Sequence, residues 1–380
     1  MRFIVWIGIV SLFADITYEG ARSINGSFMA VLGASGTVVG LVAGAGELVG
    51  FCLRLLSGIV SDRTKKYWTI TIVGYSINMI AVPLIALAGH WPLAACFMIA
   101  ERFGKAIRTP ARDVMISQAS SEMGRGLGFA IHEALDQIGA MTGPLIVMTV
   151  LWMRGDYRSC YAVLWVPALL AIATLLTARI IYPRPHEMEV AKENEAPEGF
   201  SGRFWLYLLA AGLVAAGTAD FPLMAFHFEK MQTVPRLLVP VYYSAAMGVD
   251  ALAALFFGKW FDRKGISVLA AASVLLSFFS PLVFGGGALA AGLGLALWGV
   301  GMGAQESIMR AAVSDMLSVE KRGTGFGLWN MAYGLSWFLG SATLGFLYDK
   351  SASLVIIFSM TCLLLSVPLF LALGRIKGVK

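Results

Sequence analysis

Apolar stretches of about 20 residues or more recur roughly twelve times along this chain, each long enough to cross a hydrocarbon core. They run at about 3–31, 36–60, 67–89, 91–116, 126–152, 159–182, 203–228, 234–260, 267–286, 288–315, 323–347 and 352–374. Within lipid a backbone must satisfy its own polar groups, and segments of this length do so as α-helices. Composition agrees: 58% of residues are hydrophobic and 14% charged, where soluble domains carry about a quarter charged. A soluble enzyme is therefore excluded. Cys52, Cys96, Cys160 and Cys362 stand alone in apolar segments without CxxC spacing, so they imply no disulfide, metal or redox chemistry. The first stretch has no small-residue cleavage pattern and is read as a retained helix.

Most connections are short, but residues 184–202 are polar, acidic and interrupted by proline, the composition of a solvated linker. This linker divides the chain into an N-terminal six-helix bundle (1–183) and a C-terminal one (203–380). About seventeen Lys and Arg fall in the loops and ends on one side, against about five on the other. The positive-inside rule then places both termini in the cytoplasm. The same bias explains the net charge of +6 without a nucleic-acid partner. The expected fold is an all-α membrane protein with about twelve transmembrane helices in two pseudo-symmetric bundles.

Two landmarks recur at a separation of about 200 residues. GIVSDRTKK (Gly58 to Lys66) follows the second stretch and GKWFDRKG (Gly258 to Gly265) the eighth, both with Gly-x-x-x-Asp-Arg at a helix end. RGLGFA (Arg125 to Ala130) opens the fifth stretch and RGTGFG (Arg322 to Gly327) the eleventh. Matched landmarks at matched spacing make the halves internal repeats.

About seventeen charged residues remain inside the stretches, thirteen of them in the first half. Each is costly in a bilayer and must pair or line a wet cavity. At about 100° per residue, Asp15, Glu19 and Arg22 share a stripe of the first helix. Glu101, Lys105, Arg108 and Arg112 share one on the fourth, and His132, Glu133 and Asp136 lie within a turn of the fifth. Glu47 and Arg54 lie two turns apart on the second. The second half offers Asp220, His227, Asp250 and the i,i+4 pair Glu306 and Arg310. Asp15 and Glu19 repel unless one is protonated or shared with Arg22, and histidine titrates nearest physiological pH. Asp15, Glu19, His132, Glu133 and Asp136 are therefore the candidates for proton coupling. Arg22, Lys105, Arg108, Asp220, Glu306 and Arg310 are the polar candidates for binding substrate. For Glu306/Arg310 and Glu101/Lys105, mutual neutralisation within the bundle is the alternative. Trp329, Tyr333 and Trp337 recur at i, i+4 and i+8 and could wall an amphipathic pocket or simply pack. Thr109-Pro110, Gly139 to Pro144 and Asp220-Phe-Pro222 place helix breaks beside charged groups, as alternating access requires. No GxxxxGK[ST], HExxH or GxSxG is present, and Gly44-x-Gly46 lies inside a helix rather than after a strand.

Two six-helix repeats, a central linker and paired Gly-x-x-x-Asp-Arg turns resemble the major facilitator superfamily along the whole chain. The resemblance implies a cytoplasmic charge-relay gate between the bundles at Gly58, Asp62 and Arg63, with Arg125 as their partner across the interface and Asp262 and Arg263 in the second copy. The family's usual glycine after the arginine is replaced by Thr64 and Lys65 in the first copy, whereas Gly265 supplies it in the second. Gly139-x-x-x-Gly143-Pro144 is similar to the family's antiporter signature, without its trailing glycines, and implies export. ERFGKAIRTPARD (Glu101 to Asp113) resembles the basic fourth helix of a branch of bacterial and archaeal members, and is more charged than the multidrug version.

The function expected from these readings is secondary active transport, exporting a small amphipathic or anionic molecule in exchange for protons. The chain is expected in the cell inner membrane as a monomer, with lipid, protons and a small substrate as partners. No cofactor, no metal, no nucleic acid and no enzymatic activity are expected. Proton-coupled uptake of an organic anion and a non-transporting sensor or scaffold stay open beside it.

Overall fold

The computed structural model describes residues 2–119, 125–183, 200–316 and 322–375. Most of the proposed linker, residues 184–199, lies outside them. Regular structure among the described residues is entirely helical. In chain order the helices are α1 (Arg2–Val31), α2 (Gly36–Thr64), α3 (Tyr67–Leu84), α4 (Trp91–Ala119), α5 (Arg125–Arg154), α6 (Tyr157–Val163), α7 (Trp165–Ile181) and α8 (Gly202–Gly217). They continue as α9 (Phe221–Met231), α10 (Leu238–Lys264), α11 (Val268–Ser277), α12 (Phe279–Gly285), α13 (Ala288–Ala304), α14 (Arg310–Met316), α15 (Arg322–Lys350) and α16 (Ala352–Arg375). Among the described residues nine helical stretches are long and apolar enough to span a bilayer. Helix α4 is not one of them, because six charged residues crowd between Glu101 and Asp113.

Two compact units divide the chain. The first comprises Met1–Gly33, Ala45–Lys192 and Leu237–Ser244, the second Ala34–Gly44, Glu193–Arg236 and Ala245–Lys380. Helices α1 and α8–α9 are largely buried, whereas α2, α5, α7 and α16 keep most of their surface outward. Outward residues such as Leu56, Trp152, Ile180, Leu252, Phe256 and Leu289 are exposed and apolar, a surface suited to lipid and poorly suited to water.

In the first unit glycines set the helix spacing. At Gly139 a side chain would meet the Leu12 carbonyl oxygen at 2.5 Å and the Asp15 Cβ at 2.9 Å, so α5 lies directly against α1. At Gly74 it would meet the Arg108 backbone nitrogen at 2.6 Å, so α3 and α4 are equally close. Such small-residue contacts replace the hydrophobic drive that lipid removes. The repeat also appears in the backbone: Lys65 (φ 55°) and Gly265 (φ 65°) both take left-handed conformations after the Asp-Arg turn. A left-handed residue closes each helix end, and the first copy makes the turn without glycine.

In the second unit the start of α2 is capped from far along the chain. The Gly36 and Thr37 amides each donate to the Asp349 carboxylate at 2.8 Å, and the Thr37 hydroxyl donates at 2.6 Å. Burial pushes this carboxyl up, but the hydrogen bonds from Thr37 and Gly36 outweigh it and hold the group below its ordinary value. Its contribution is therefore complete above the ordinary carboxylate range and fades as pH falls through the lowered value. Asp349→Ala is expected to cost about 1–2 kcal/mol, the range of a lost helix cap, with Asp349→Asn recovering part of it. Thermal unfolding at neutral pH checks this, and an unchanged Tm for Asp349→Ala would show that the cap is idle.

Candidate functional site

Three groups of polar side chains occupy the interior of the first unit. In the first, Glu47 Oε1 lies 3.2 Å from Arg102 Nη1 and 3.7 Å from Arg22 Nη2. Arg22 Nη1 is also 3.8 Å from Glu19 Oε1, and Arg102 Nε is 3.3 Å from Glu101 Oε2. Asn78 Nδ2 donates to Glu101 Oε1 at 2.9 Å, and the Tyr243 hydroxyl donates to Glu19. Two guanidiniums are thus shared among three carboxylates. Glu101 turns to its neighbour Arg102 rather than to Lys105, and Arg22 pairs with both Glu19 and Glu47.

The second group joins α1, α3, α4 and α5. The Ser11 hydroxyl meets His132 Nε2 at 2.7 Å and the Tyr75 hydroxyl at 3.3 Å, and it accepts from Arg112 Nη1 at 3.4 Å. His132 Nδ1 faces Asp136 Oδ2 at 3.4 Å, and Arg112 is also held by Asp113, with Nη2 donating at 2.8 Å. His132, Glu133 and Asp136 each bring one potential ligand atom within 4.8 Å of the others. Both imidazole nitrogens already face Ser11 and Asp136, Glu133 is exposed, and Arg108 and Arg112 stand within electrostatic reach.

Lys105 and Arg108 lie within electrostatic reach of Asp15 in the same interior. The Lys105 ammonium sits 3.8 Å from the centre of the Tyr18 ring, and Arg108 Cζ sits 4.1 Å from that of Tyr75. Neither cation has a carboxylate within ion-pair distance among the described residues. Arg108 is 1% exposed, and its Nε and Nη1 have no hydrogen-bond partner. A buried guanidinium with idle donors is primed for an oxyanion, since its fork matches a carboxylate or phosphate.

The second unit has an aromatic interior. Trp329 and Tyr333 stack with ring centres 5.2 Å apart, and Trp337 follows at 5.7 Å. Two of the polar tips are tethered: Tyr333 donates to Gln305 Oε1 at 2.7 Å and Trp337 Nε1 to Asp220 Oδ2 at 2.8 Å. Ser341 adds a 3.1 Å bond to the same Asp220 oxygen. Gln305 opens a π-helical turn, Gln305–Met309, a distortion that recurs at functional sites. Glu306 is exposed on that turn, and the Arg310 side chain lies outside the described residues. His227 Nδ1 meets the Tyr348 hydroxyl at 3.0 Å among Phe226, Phe228 and Phe284.

Among the remaining candidates, Asp62 and Arg63 are exposed at the end of α2, and Asp262 and Arg263 at the end of α10; Gly58 is half-buried. The Arg125 side chain lies outside those described. Gly139, Gly143 and Pro144 are buried on α5, where the two glycines face α1. Ser11, Tyr18, Tyr75, Gln305 and Ser341 were not sequence candidates. They are neutral residues common in any membrane helix, and their importance comes from tertiary contacts alone.

The comparisons with known proteins agree with this architecture. Residues 5–341 match the family model described as the Major Facilitator Superfamily. An uncharacterised protein of Mycobacterium tuberculosis (strain H37Rv) is 38% identical over 379 residues, covering 98% of this chain and 93% of the relative. An uncharacterised MFS-type transporter of Methanocaldococcus jannaschii is 25% identical over 377 residues, covering 95% of this chain and 92% of that protein. The crystal structure of the nucleoside transporter NupG superposes with a TM-score of 0.77 at 15% identity, covering 99% of this chain and 100% of that one. At that identity the likeness carries the fold alone. With its apolar spanning helices and a family match over most of its length, the chain belongs to the major facilitator superfamily of multi-pass membrane transporters.

Proposed function

We propose that the chain is a proton-coupled secondary active transporter, moving a small anionic, amphipathic molecule across the cell inner membrane by alternating access. The observation that carries this reading is the pair of cations, Lys105 and Arg108, without carboxylates within ion-pair distance among the described residues, in the same interior as the acids Asp15 and Asp136. Arg22, Lys105 and Arg108 take the anionic group. Trp329, Tyr333, Trp337, Asp220, Glu306 and Arg310 are the proposed substrate-binding residues of the second half. Protons are carried by Asp15, Glu19, His132, Glu133 and Asp136. The Gly58, Asp62, Arg63, Arg125, Asp262 and Arg263 turns act as the cytoplasmic gate. Twelve spans in bundles 1–183 and 203–380, both termini cytoplasmic and a monomer complete the proposal.

Export in exchange for protons is the direction implied by Gly139, Gly143 and Pro144. Uptake together with protons is the second reading. It is favoured by the acids' position among the cations, because a proton on Asp15 or Asp136 removes negative charge competing with the substrate anion. A pH dye sealed inside proteoliposomes separates the two by sign. Any ligand that raises the Tm of the purified protein is added outside. Exchange makes the lumen alkaline as ligand enters, whereas co-transport makes it acid. Ligand entry without a proton signal, or an unchanged signal in Glu133→Gln and Asp136→Asn together, overturns the proton assignment. Absence of flux for every stabilising ligand would instead favour a sensor or scaffold.

A further inference from the structure

Ser11 is fully buried and meets three polar partners from three other helices: Tyr75 on α3, Arg112 on α4 and His132 on α5. A hydroxyl has one proton to donate and two lone pairs to accept with. Arg112 can only donate, so it always fills one lone pair. One donation and one acceptance remain for His132 Nε2 and the Tyr75 hydroxyl. These two must therefore play opposite roles. When Nε2 accepts from Ser11, Tyr75 donates to it; when Nε2 donates, Tyr75 has to accept.

The state of Nε2 is set on the other side of the ring. Nδ1 faces Asp136 Oδ2, and Asp136 Oδ1 is buried without a partner. With the pair singly protonated, the proton sits on Nδ1 beside the carboxylate and Nε2 accepts. One further proton, whether held by the imidazole or on the Asp136 Oδ2 that faces it, leaves Nε2 as a donor while both contacts persist. Ser11 then turns its own proton to Tyr75, and the Tyr75 O–H is released. That O–H belongs to the ring beneath Arg108, whose Nε and Nη1 are idle.

We propose that Ser11 is a relay hydroxyl, a positioning residue that converts proton occupancy of the His132–Asp136 pair into a free Tyr75 O–H beside Arg108. The consequence for anion binding rests on the proposed role of Arg108, whereas the relay itself does not. Other charged or titratable groups face the pair from each helix packed on it: Asp15 and Tyr18 from α1, and Glu133 from α5. From α4 come Lys105, Arg108 and Arg112, the last held by Asp113. These set where the pair titrates. They do not alter the opposed roles at Ser11.

The test uses the full chain in lipid nanodiscs with no ligand. The sequence has four histidines, so nitrogen NMR of labelled imidazoles can be assigned to His132 with His132→Asn. As pH falls, Nε2 of His132 is expected to change from acceptor to donor. A tyrosine C–O infrared band, absent in Tyr75→Phe, should shift at the same midpoint. In Ser11→Ala, His132 should still titrate while the Tyr75 band stays fixed, and Ser11→Thr should restore the shift. A Tyr75 band that follows His132 in Ser11→Ala, or stays still in wild type while His132 titrates, overturns the relay. So does an Nε2 that remains an acceptor down to acid unfolding.

Benzoate and inorganic phosphate then serve as probes for a carboxylate or a phosphate. Each should bind about tenfold tighter at the acid end, the worth of one hydrogen bond to a charged group. Tyr75→Phe should flatten that dependence. A shifting Tyr75 band with no tighter binding of either probe would leave the relay standing and remove the anion role of Arg108.

Discussion

Arg108→Met is expected to abolish transport while leaving the protein as stable as wild type, or more so. Two terms decide the stability. The guanidinium is 1% exposed, and its Nε and Nη1 have no partner. A charge kept in such a place costs several kcal/mol, even after relaxation and water penetration. Against this stands the contact with the Tyr75 ring, about 2 kcal/mol when desolvated. Methionine fills a similar channel and keeps a favourable sulfur contact with an aromatic ring. Removing the charge should therefore gain more than the lost contact costs. Binding goes the other way. Taking away one partner of a buried charged hydrogen bond costs about 2–5 kcal/mol, roughly 30-fold to several thousand-fold in affinity. Thermal unfolding and ligand affinity on one preparation check both halves. Arg102→Met is the contrast, because Arg102 lies 3.2 Å from Glu47 and 3.3 Å from Glu101. Its loss leaves two carboxylates short of a partner, and a clear fall in Tm is expected there. If Arg108→Met instead lowers Tm and leaves affinity intact, Arg108 is a counter-charge for Asp15 and the anion reading fails.

How far the sequence could be read follows from which forces act locally. The helices were legible because lipid leaves a long apolar segment almost no other way to satisfy its backbone. The crowding of buried charge into the first half was legible for the same reason: an acid or base in an apolar stretch stands out. The partners were not. Periodicity put Asp15, Glu19 and Arg22 on one stripe and offered Arg22 to the two acids, but it did not show that Arg22, besides pairing with Glu19, also reaches Glu47 from α2. Spacing offered Lys105 to Glu101, but Arg102 reaches it from the adjacent position. Those choices depend on how neighbouring helices are rotated. That rotation is fixed by glycine contacts such as Gly74 against α4, which no single helix encodes. Ser11 shows the limit most clearly. Its role exists only because three other helices bring it one histidine, one tyrosine and one arginine.

Gly143→Leu is expected to lose most folded protein, and this effect should be among the largest from any single uncharged substitution. A side chain at Gly143 would point into the backbone of α1, at the Ile16 carbonyl oxygen, and would lie 2.9 Å from the Gly20 nitrogen. Backbone cannot step aside as a flexible side chain can, so α1 and α5 would have to part. Overpacking a tight core costs about 1–3 kcal/mol and more when no atom can yield. Parting these helices also separates Ser11 and Asp15 on α1 from His132 and Asp136 on α5. The damage therefore reaches the proposed coupling site. The smaller change Gly143→Ala should assemble with a lower Tm and slower flux, without reversing the direction of proton movement. Gly50→Ala is the control: nothing lies within 4 Å of a side chain there, and alanine is favoured over glycine in a helix by about 1 kcal/mol. Folded yield after size-exclusion chromatography, then flux from whatever assembles, separates these outcomes. The packing of Gly139 and Gly143 gives them a structural reason to be glycine that holds for either direction of transport. A Gly143→Leu protein that folds and transports like wild type would show that the approach of α1 to α5 is dispensable.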